Sequence, residues 1–354
     1  MGIGVLLSVI YPKIFFSYHY AKIFKVVYGI LLLNFFYQFT FGWLSVRLDD
    51  WMYLLAKFST SVILIFAIIK KTEFYISKAY IWLACLLTGL FLNGWIFATV
   101  DPLTGRYTFG FGNANWTGYL GSFAFAVFLI KTDINKYIRY VGLCIALIVV
   151  VVSGSRMSLF ILCFSFLFKY KISFKLILGY IAILFVLLYL PTKLGIEARA
   201  VERFADNSIN SFFEGRKDVQ RAGFKMFLDK FVEGYGLSGY KFVDIRYFSV
   251  DDNEIALGTH NGYLAAAKMY GIFGVLFFVG LIFSRTFLFL KKYFKSSNPD
   301  IKLHLFVVCA VLVNAMTEDY LVGVNAIGTV LFFTSISSLE YIYYQEKLKR
   351  DSLL

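Results

Sequence analysis

Charge is scarce in this chain. Only 16% of its 354 residues are Asp, Glu, Lys or Arg, against about 25% in soluble domains. Histidine is scarcer still, with three residues. Cys85, Cys144, Cys163 and Cys309 all fall inside apolar stretches, which leaves no set of loop thiols for a disulfide framework or a metal site. There is no internal repeat and no low-complexity tract. Met1 to Tyr11 also lack the basic flank and small-residue cleavage site of a secretory leader. They are therefore expected to remain as part of a membrane span.

What is present in excess is apolar surface. Hydrophobic residues make up 59% of the chain, aromatics 20%, and the mean hydropathy is +0.71. A crossing helix needs about 20 mostly apolar residues. Runs of that kind predict spans near 2–17, 26–44, 52–69, 79–99, 114–130, 139–152, 155–169, 174–190, 263–284, 303–317 and 320–342. The fold class expected is an all-α integral membrane protein with about 11 transmembrane helices and one large external loop before the last three spans. The short runs 139–152 and 155–169 also fit a re-entrant pair, which would leave the orientation of the rest unchanged.

The net charge of +13 is a topology signal. One set of loops carries nineteen Lys and Arg residues, among them Lys70, Lys71 and Lys78, then Lys291, Lys292, Lys295 and Lys302. The opposite short loops carry three: Arg47, Arg106 and Arg156. The positive-inside bias makes the first set cytoplasmic, so the amino terminus is expected outside and the carboxyl terminus inside the cytoplasmic membrane. Nucleic-acid binding is not supported. The organisation expected is an amino-terminal bundle over 1–190, a large external loop over 191–262, and a three-span segment with a cytoplasmic tail over 263–354.

The three basic residues in the outer short loops are all Arg, whose planar fork suits bidentate phosphate contacts better than the point charge of Lys. The bland alternative for each is an interfacial Arg, or an ion pair with Asp49, Asp50 or Asp101. Arg106 precedes Phe109-Gly-Phe-Gly-Asn-Ala-Asn-Trp-Thr-Gly118, a Gly- and Asn-rich loop leading into a span, where helix amides favour anions. Arg156 follows Ser153-Gly-Ser155. In the large loop, the stretch from Gly215 and Arg216 predicts an amphipathic helix. Lys217, Arg221 and Lys225 share one face, and Phe224, Phe227, Leu228 and Phe231 form its apolar side. His260, in Gly258-Thr-His-Asn-Gly-Tyr263, is the one outer histidine and the best available general base near neutral pH. Lys57 and Lys268 are charges within apolar runs and so candidates for function. Glu318 and Asp319, in the last outer loop, can orient a base or pair with an Arg.

These segments, in this order, resemble the O-antigen ligase and Wzy-type polysaccharide polymerase family. The resemblance rests on Gly105-Arg106 with Phe111-Gly-Asn113-Ala-Asn115-Trp-Thr-Gly, on Ser153-Gly-Ser-Arg156, on Gly215-Arg216 through Gly234-Tyr-Gly-Leu237, and on His260-Asn261-Gly-Tyr-Leu with Tyr270-Gly-Ile-Phe-Gly274. It runs from about residue 80 to residue 320. Two departures stand out: Ala114 occupies the place where the family usually has Pro between its asparagines, and the chain is shorter than many members.

The resemblance implies glycosyl transfer without a metal or cofactor at the outer membrane–water interface. The donor would be a glycan on polyprenyl diphosphate, and the acceptor a sugar hydroxyl of a second lipid-linked repeat unit. Arg106, Arg156 and Arg216 match family positions for the diphosphate, and His260 the position that activates the acceptor; Arg221 and Arg47 join the diphosphate set on charge alone. Asn113, Asn115, Asn261, Lys268 and Glu318 are expected in support. Membrane lipids, a chain-length regulator and a flippase of the same pathway are the implied partners. A ligase is the near alternative. A flippase for lipid-linked sugars, or a protease using Ser153 or Ser155 with His260, are readings from other classes.

Overall fold

The computed structural model describes residues 2–15, 17–42, 47–96, 100, 106–170, 209–241, 243, 258–324 and 326–353. Among them the chain is helical, with one isolated antiparallel bridge between Val100 and Tyr107. The helices are α1 (Gly2–Ile10), α2 (Pro12–Phe15), α3 (Tyr18–Ile23), α4 (Lys25–Thr40), α5 (Leu48–Lys70), α6 (Ala79–Ile96), α7 (Ala114–Ile130), α8 (Lys136–Val152), α9 (Arg156–Lys169), α10 (Ile209–Asp229), α11 (Gly262–Tyr293), α12 (Pro299–Asn314) and α13 (Ile327–Asp351). The expected span 174–190 and much of the loop 191–262 lie outside the described residues.

By length and composition, three helical stretches among the described residues can cross a membrane: Leu48–Lys70, Phe74–Gly94 and Gly262–Tyr293. Ala114–Ile130 is a shorter apolar helix. The chain is thus a multi-pass helical membrane protein, and a count of about 11 spans goes beyond what these helices establish. Three expected spans have different limits. The run 2–17 breaks after Ile10, because Pro12 has no N–H and its ring opposes helical geometry in the residue before it. The run 263–284 becomes a 32-residue helix with a kink. The run 320–342 starts as a turn, and α13 begins only at Ile327.

That late start is stabilised from below. Val322 and Gly323 are irregular backbone in an apolar setting, where unsatisfied carbonyls are costly. Tyr53 and Lys57, one turn apart on α5, meet the need: Tyr53 Oη donates to the Val322 carbonyl at 2.7 Å, and Lys57 Nζ to that of Gly323 at 3.2 Å. Lys57 Nζ also lies 4.5 Å from the Phe333 ring centroid. The structure thus gives this buried lysine a structural task.

The chain divides into two compact units, each discontinuous in sequence. The first comprises 1–76, 214–295 and 307–354; the second comprises 77–213 and 296–306. In the first unit, α4 packs on α5, α11 and α13 and buries Val26, Val27, Ile30 and Tyr37. In the second, α7 packs against α6, α8 and α9, and every residue from Thr117 to Ile130 is buried. An apolar helix enclosed on all sides needs no polar face.

The kink of α11 matters for the site. Gly271 has φ 64° and ψ −170°, a backbone reserved for glycine. A Cβ there would stand 2.0 Å from the Val232 carbonyl oxygen. The turn after α10 enters this gap and takes up the groups the kink frees. Tyr235 N donates to Lys268 O at 2.7 Å, Gly236 N to Met269 O at 3.3 Å, and Ile272 N to Phe231 O at 2.7 Å. Gly234, with φ 66°, would meet Met269 O at 2.4 Å through a Cβ. From the other side, the fully buried Asp50 of α5 accepts from Ser238 N at 2.6 Å.

Candidate active site

The site in the first unit is built on three stretches. Arg216 comes from α10. The sequence places the start of that helix at Gly215, but it begins at Ile209. The buried face also differs from the expected one: Ala222 and Met226 pack with Val243, Val219 and Tyr235. Phe227 is buried, but Phe224, Leu228 and Phe231 are 51%, 52% and 43% exposed. A face pattern reports which side is apolar and is silent on what covers it, so these three side chains stay exposed.

His260 stands in the segment before α11, with an unusual φ of 47°. Its neighbours fix that backbone. Asn261 caps α11, its Oδ1 accepting from Tyr263 N and Leu264 N at 3.1 Å. Asp319 Oδ1 accepts from Asn261 N at 3.0 Å and from Thr259 Oγ1 at 3.1 Å. Gly262 N donates to Ala315 O at 2.7 Å. The polar cap and the turn after α12 therefore hold His260 as a unit.

Glu318 joins the two. Its Oε1 accepts from Arg216 Nη2 at 2.9 Å, and its Oε2 lies 3.7 Å from His260 Nδ1. Arg216 Nη1 also donates to the Thr317 carbonyl. The Glu318 side chain is 8% exposed, that of Arg216 22% and that of His260 41%, so a buried carboxylate carries two more accessible groups. Burial by itself would push the Glu318 carboxyl up. Its contacts with His260 and Arg216 outweigh burial and hold it below the usual glutamate value. Asp319 goes the other way, raised chiefly by burial. A carboxylate on Nδ1 orients an imidazole and leaves Nε2 as the nitrogen to meet a substrate proton.

The remaining candidates divide. Lys268 is fully buried in the first segment of α11, and its carbonyl receives Tyr235 N. Arg221 is exposed on α10 and makes no contact with the Arg216–Glu318–His260 group. Arg47, the residue before α5, donates to the Tyr235 carbonyl at 3.4 Å, against the glycine turn and apart from that group.

Four candidates belong to the second unit. Arg106 is buried, with Nε on the Ser153 carbonyl at 2.7 Å and Nη2 on Asn115 Oδ1 at 2.8 Å. Asn113 caps α7, accepting from Asn115 N at 2.8 Å. Arg156 is the first residue of α9, after the Ser155 cap, and half-buried. Arg106 thus ties the loop before α7 to the turn between α8 and α9, so the two sequence segments Arg106–Gly118 and Ser153–Arg156 are physically one element.

Sequence reasoning passed over Ser238, Lys241 and the structural use of Asp50. The available signal was the spacing of glycines in Gly234-Tyr-Gly236-Leu-Ser-Gly239. Such a tight turn has amides that need an acceptor, and Asp50 is a buried carboxylate on α5 without a lysine or arginine partner among the described residues.

No curated protein matches the chain. The family model described as O-Antigen ligase matches residues 140–279, from α8 through the first half of α11. That range contains Arg156, Arg216, Arg221, His260, Asn261 and Lys268, and leaves out Arg47, Arg106, Asn113, Asn115 and Glu318. On this match, the resemblance of the chain to the O-antigen ligase and Wzy-type family stands over residues 140–279.

Proposed function

We propose that the protein is a polysaccharide repeat-unit polymerase that works on polyprenyl-diphosphate-linked glycans at the outer face of the cytoplasmic membrane. The observation that carries the reading is the joining of Arg216 and His260 on one buried carboxylate, Glu318. In the proposed step, a sugar hydroxyl of one lipid-linked unit attacks the anomeric carbon of another. The new C–O bond forms as the bond from that carbon to the diphosphate oxygen breaks. His260 takes the hydroxyl proton, and polyprenyl diphosphate leaves with the bonding pair. The Arg216 guanidinium has five N–H donors, more than Thr317 and Glu318 use, and the others face charge growing on the diphosphate. Arg221 extends the positive field along α10, and Lys268 supports the site from α11.

In this reading the amino terminus is outside, the carboxyl terminus is cytoplasmic, residues 191–262 form the external loop, and 263–354 form a three-span segment with a cytoplasmic tail. Arg106 and Arg156, with Asn113 and Asn115, are a further proposed set of diphosphate contacts in the 1–190 bundle, within the second unit. Ligation of the finished glycan to a different acceptor uses the same groups and is the second reading, favoured by the description of the matched family. The test is reconstitution in liposomes with the lipid-linked repeat unit as the sole substrate. A ladder of products supports the polymerase. A single product that forms only with an added non-identical acceptor supports the ligase. Movement of intact substrate across the bilayer without transfer supports a flippase and removes the enzyme.

A further inference from the structure

A second polar pocket lies in the first unit, at the amino end of α5. It has a volume of about 570 Å³ and is lined by Arg47, Leu48, Asp49, Ser238 and Lys241. Arg47 and Lys241 are exposed, and neither has a carboxylate partner among the described residues. Ser238 is only 5% exposed and lines the pocket. No side chain caps the first turn of α5, where Arg47 is the residue before the helix, so its leading amides are also available to an anion.

The walls are held firmly. Asp50 Oδ1 accepts from Ser238 N at 2.6 Å, and a Cβ at Gly236 would stand 2.7 Å from Asp50 Oδ2. Arg47 is drawn onto the Tyr235 carbonyl at 3.4 Å. The short turn Gly239–Lys241 that brings Lys241 to the pocket also brings Tyr240 to the His260 segment. The Tyr240 carbonyl oxygen lies 3.8 Å from the position of a Cβ on Gly258, whose nearest neighbour is the Asp319 carboxylate at 2.6 Å. The turn that lines the pocket therefore also lies close to the segment that leads into His260.

The lining points to a class of ligand. The lining itself carries two cations and one carboxylate, with Asp50 buried behind it on Ser238 N. The two exposed cations favour an anionic group, while Asp49 and Ser238 offer the acceptor and hydroxyl contacts that sugar hydroxyls use. We infer that this pocket binds a saccharide carrying an acidic group, either a sugar carboxylate or a sugar phosphate. This deepens the polymerase reading and rests on it for one point: the bound sugar belongs to a substrate glycan whose neighbouring residue reaches His260.

The experiment is binding by full-length protein in nanodiscs, read by calorimetry or saturation-transfer NMR. The probes are glucuronic acid, glucose 1-phosphate and glucose, and the proteins are wild type, Arg47→Gln, Lys241→Gln and His260→Ala. The expected result is that one or both acidic sugars bind at least about tenfold more tightly than glucose, a difference of about 1.4 kcal/mol. Each cation variant weakens that binding by a similar factor, and His260→Ala leaves it intact. Preference for glucuronic acid identifies a carboxylate on the glycan; preference for glucose 1-phosphate identifies a phosphate. Equal or absent binding of all three sugars overturns the inference. So does loss of binding in His260→Ala with no loss in the two cation variants, which places the anion at the other group. Binding does not depend on turnover, so a protein that binds acidic sugars but makes no polymer keeps the pocket and loses the polymerase reading.

Discussion

The Glu318 carboxylate accepts a hydrogen bond from Arg216 Nη2 at 2.9 Å, across 102 positions of sequence. The same carboxylate lies 3.7 Å from His260. A charge-assisted bond of this kind contributes about 1.5–3 kcal/mol, enough to fix α10 relative to the turn after α12. Replacing Glu318 by Gln keeps the shape and removes the charge. The expected outcome is a fall in transfer rate of about a hundredfold, the scale of a misplacement near 1 Å, with normal insertion in the membrane. Initial rates on the lipid-linked repeat unit check it, and a wild-type rate would mean that Glu318 does not organise the site.

Arg216 serves as a fork. It spans the Thr317 carbonyl and Glu318 with two different nitrogens, and a lysine ammonium cannot reproduce that geometry. Arg216→Lys is expected to lose at least about tenfold in transfer, near 1.4 kcal/mol of transition-state stabilisation. The measurement is kcat/KM on the donor. Retained activity would reduce Arg216 to a source of charge.

The carboxylates set an acid limit. Glu318 titrates lower in the fold than its ordinary value of 4.5. Its stabilising contribution is complete above that value and is lost as pH falls through the lower, folded one. Asp319 is raised by burial, so its ionised form is the disfavoured one and protonation relieves it. Melting in detergent from pH 7 downward is expected to show a loss of stability below about pH 4.5. Glu318→Gln should flatten that loss, and an unchanged acid profile would assign the limit to other groups.

The kink in α11 gives a structural prediction. At Gly271, a methyl group meets the Val232 carbonyl at 2.0 Å and φ is 64°. Gly271→Ala therefore strains the backbone by about 1–3 kcal/mol and pushes the glycine turn away from Lys268. The expected outcome is a lower melting temperature and weaker binding of acidic sugars, because Ser238 and Lys241 belong to the same turn. A variant as stable as wild type would show that the turn does not depend on the kink.

Much of this was legible from the residues, for identifiable reasons. Length and hydropathy marked α5 and α7 because an apolar helix must be long enough to satisfy its own backbone. Asn113, Ser155 and Asn261 cap their helices in the structure, a start signal that the reading of the sequence did not use. Arg216, His260 and Glu318 were each visible as polar groups in segments between apolar runs. Their meeting was not, since a contact across 102 residues leaves no local pattern. Lys57 stood out as an intramembrane charge, but its reason lies in two carbonyls near residue 322 that periodicity assigned to a helix. The exposed Phe224, Leu228 and Phe231 in and just after α10 show a related limit, because amphipathicity marks a face and is silent on its partner.

The central claim is that His260, oriented by Glu318, accepts the proton of the attacking hydroxyl. The most direct test compares wild type and His260→Ala in single-turnover transfer with a labelled lipid-linked repeat unit, in liposomes and with substrate binding measured in parallel. The account predicts that His260→Ala binds the substrate normally and transfers about 10²–10⁴-fold more slowly, the contribution of a positioned general base. Transfer by His260→Ala at the wild-type rate, with binding unchanged, would contradict it.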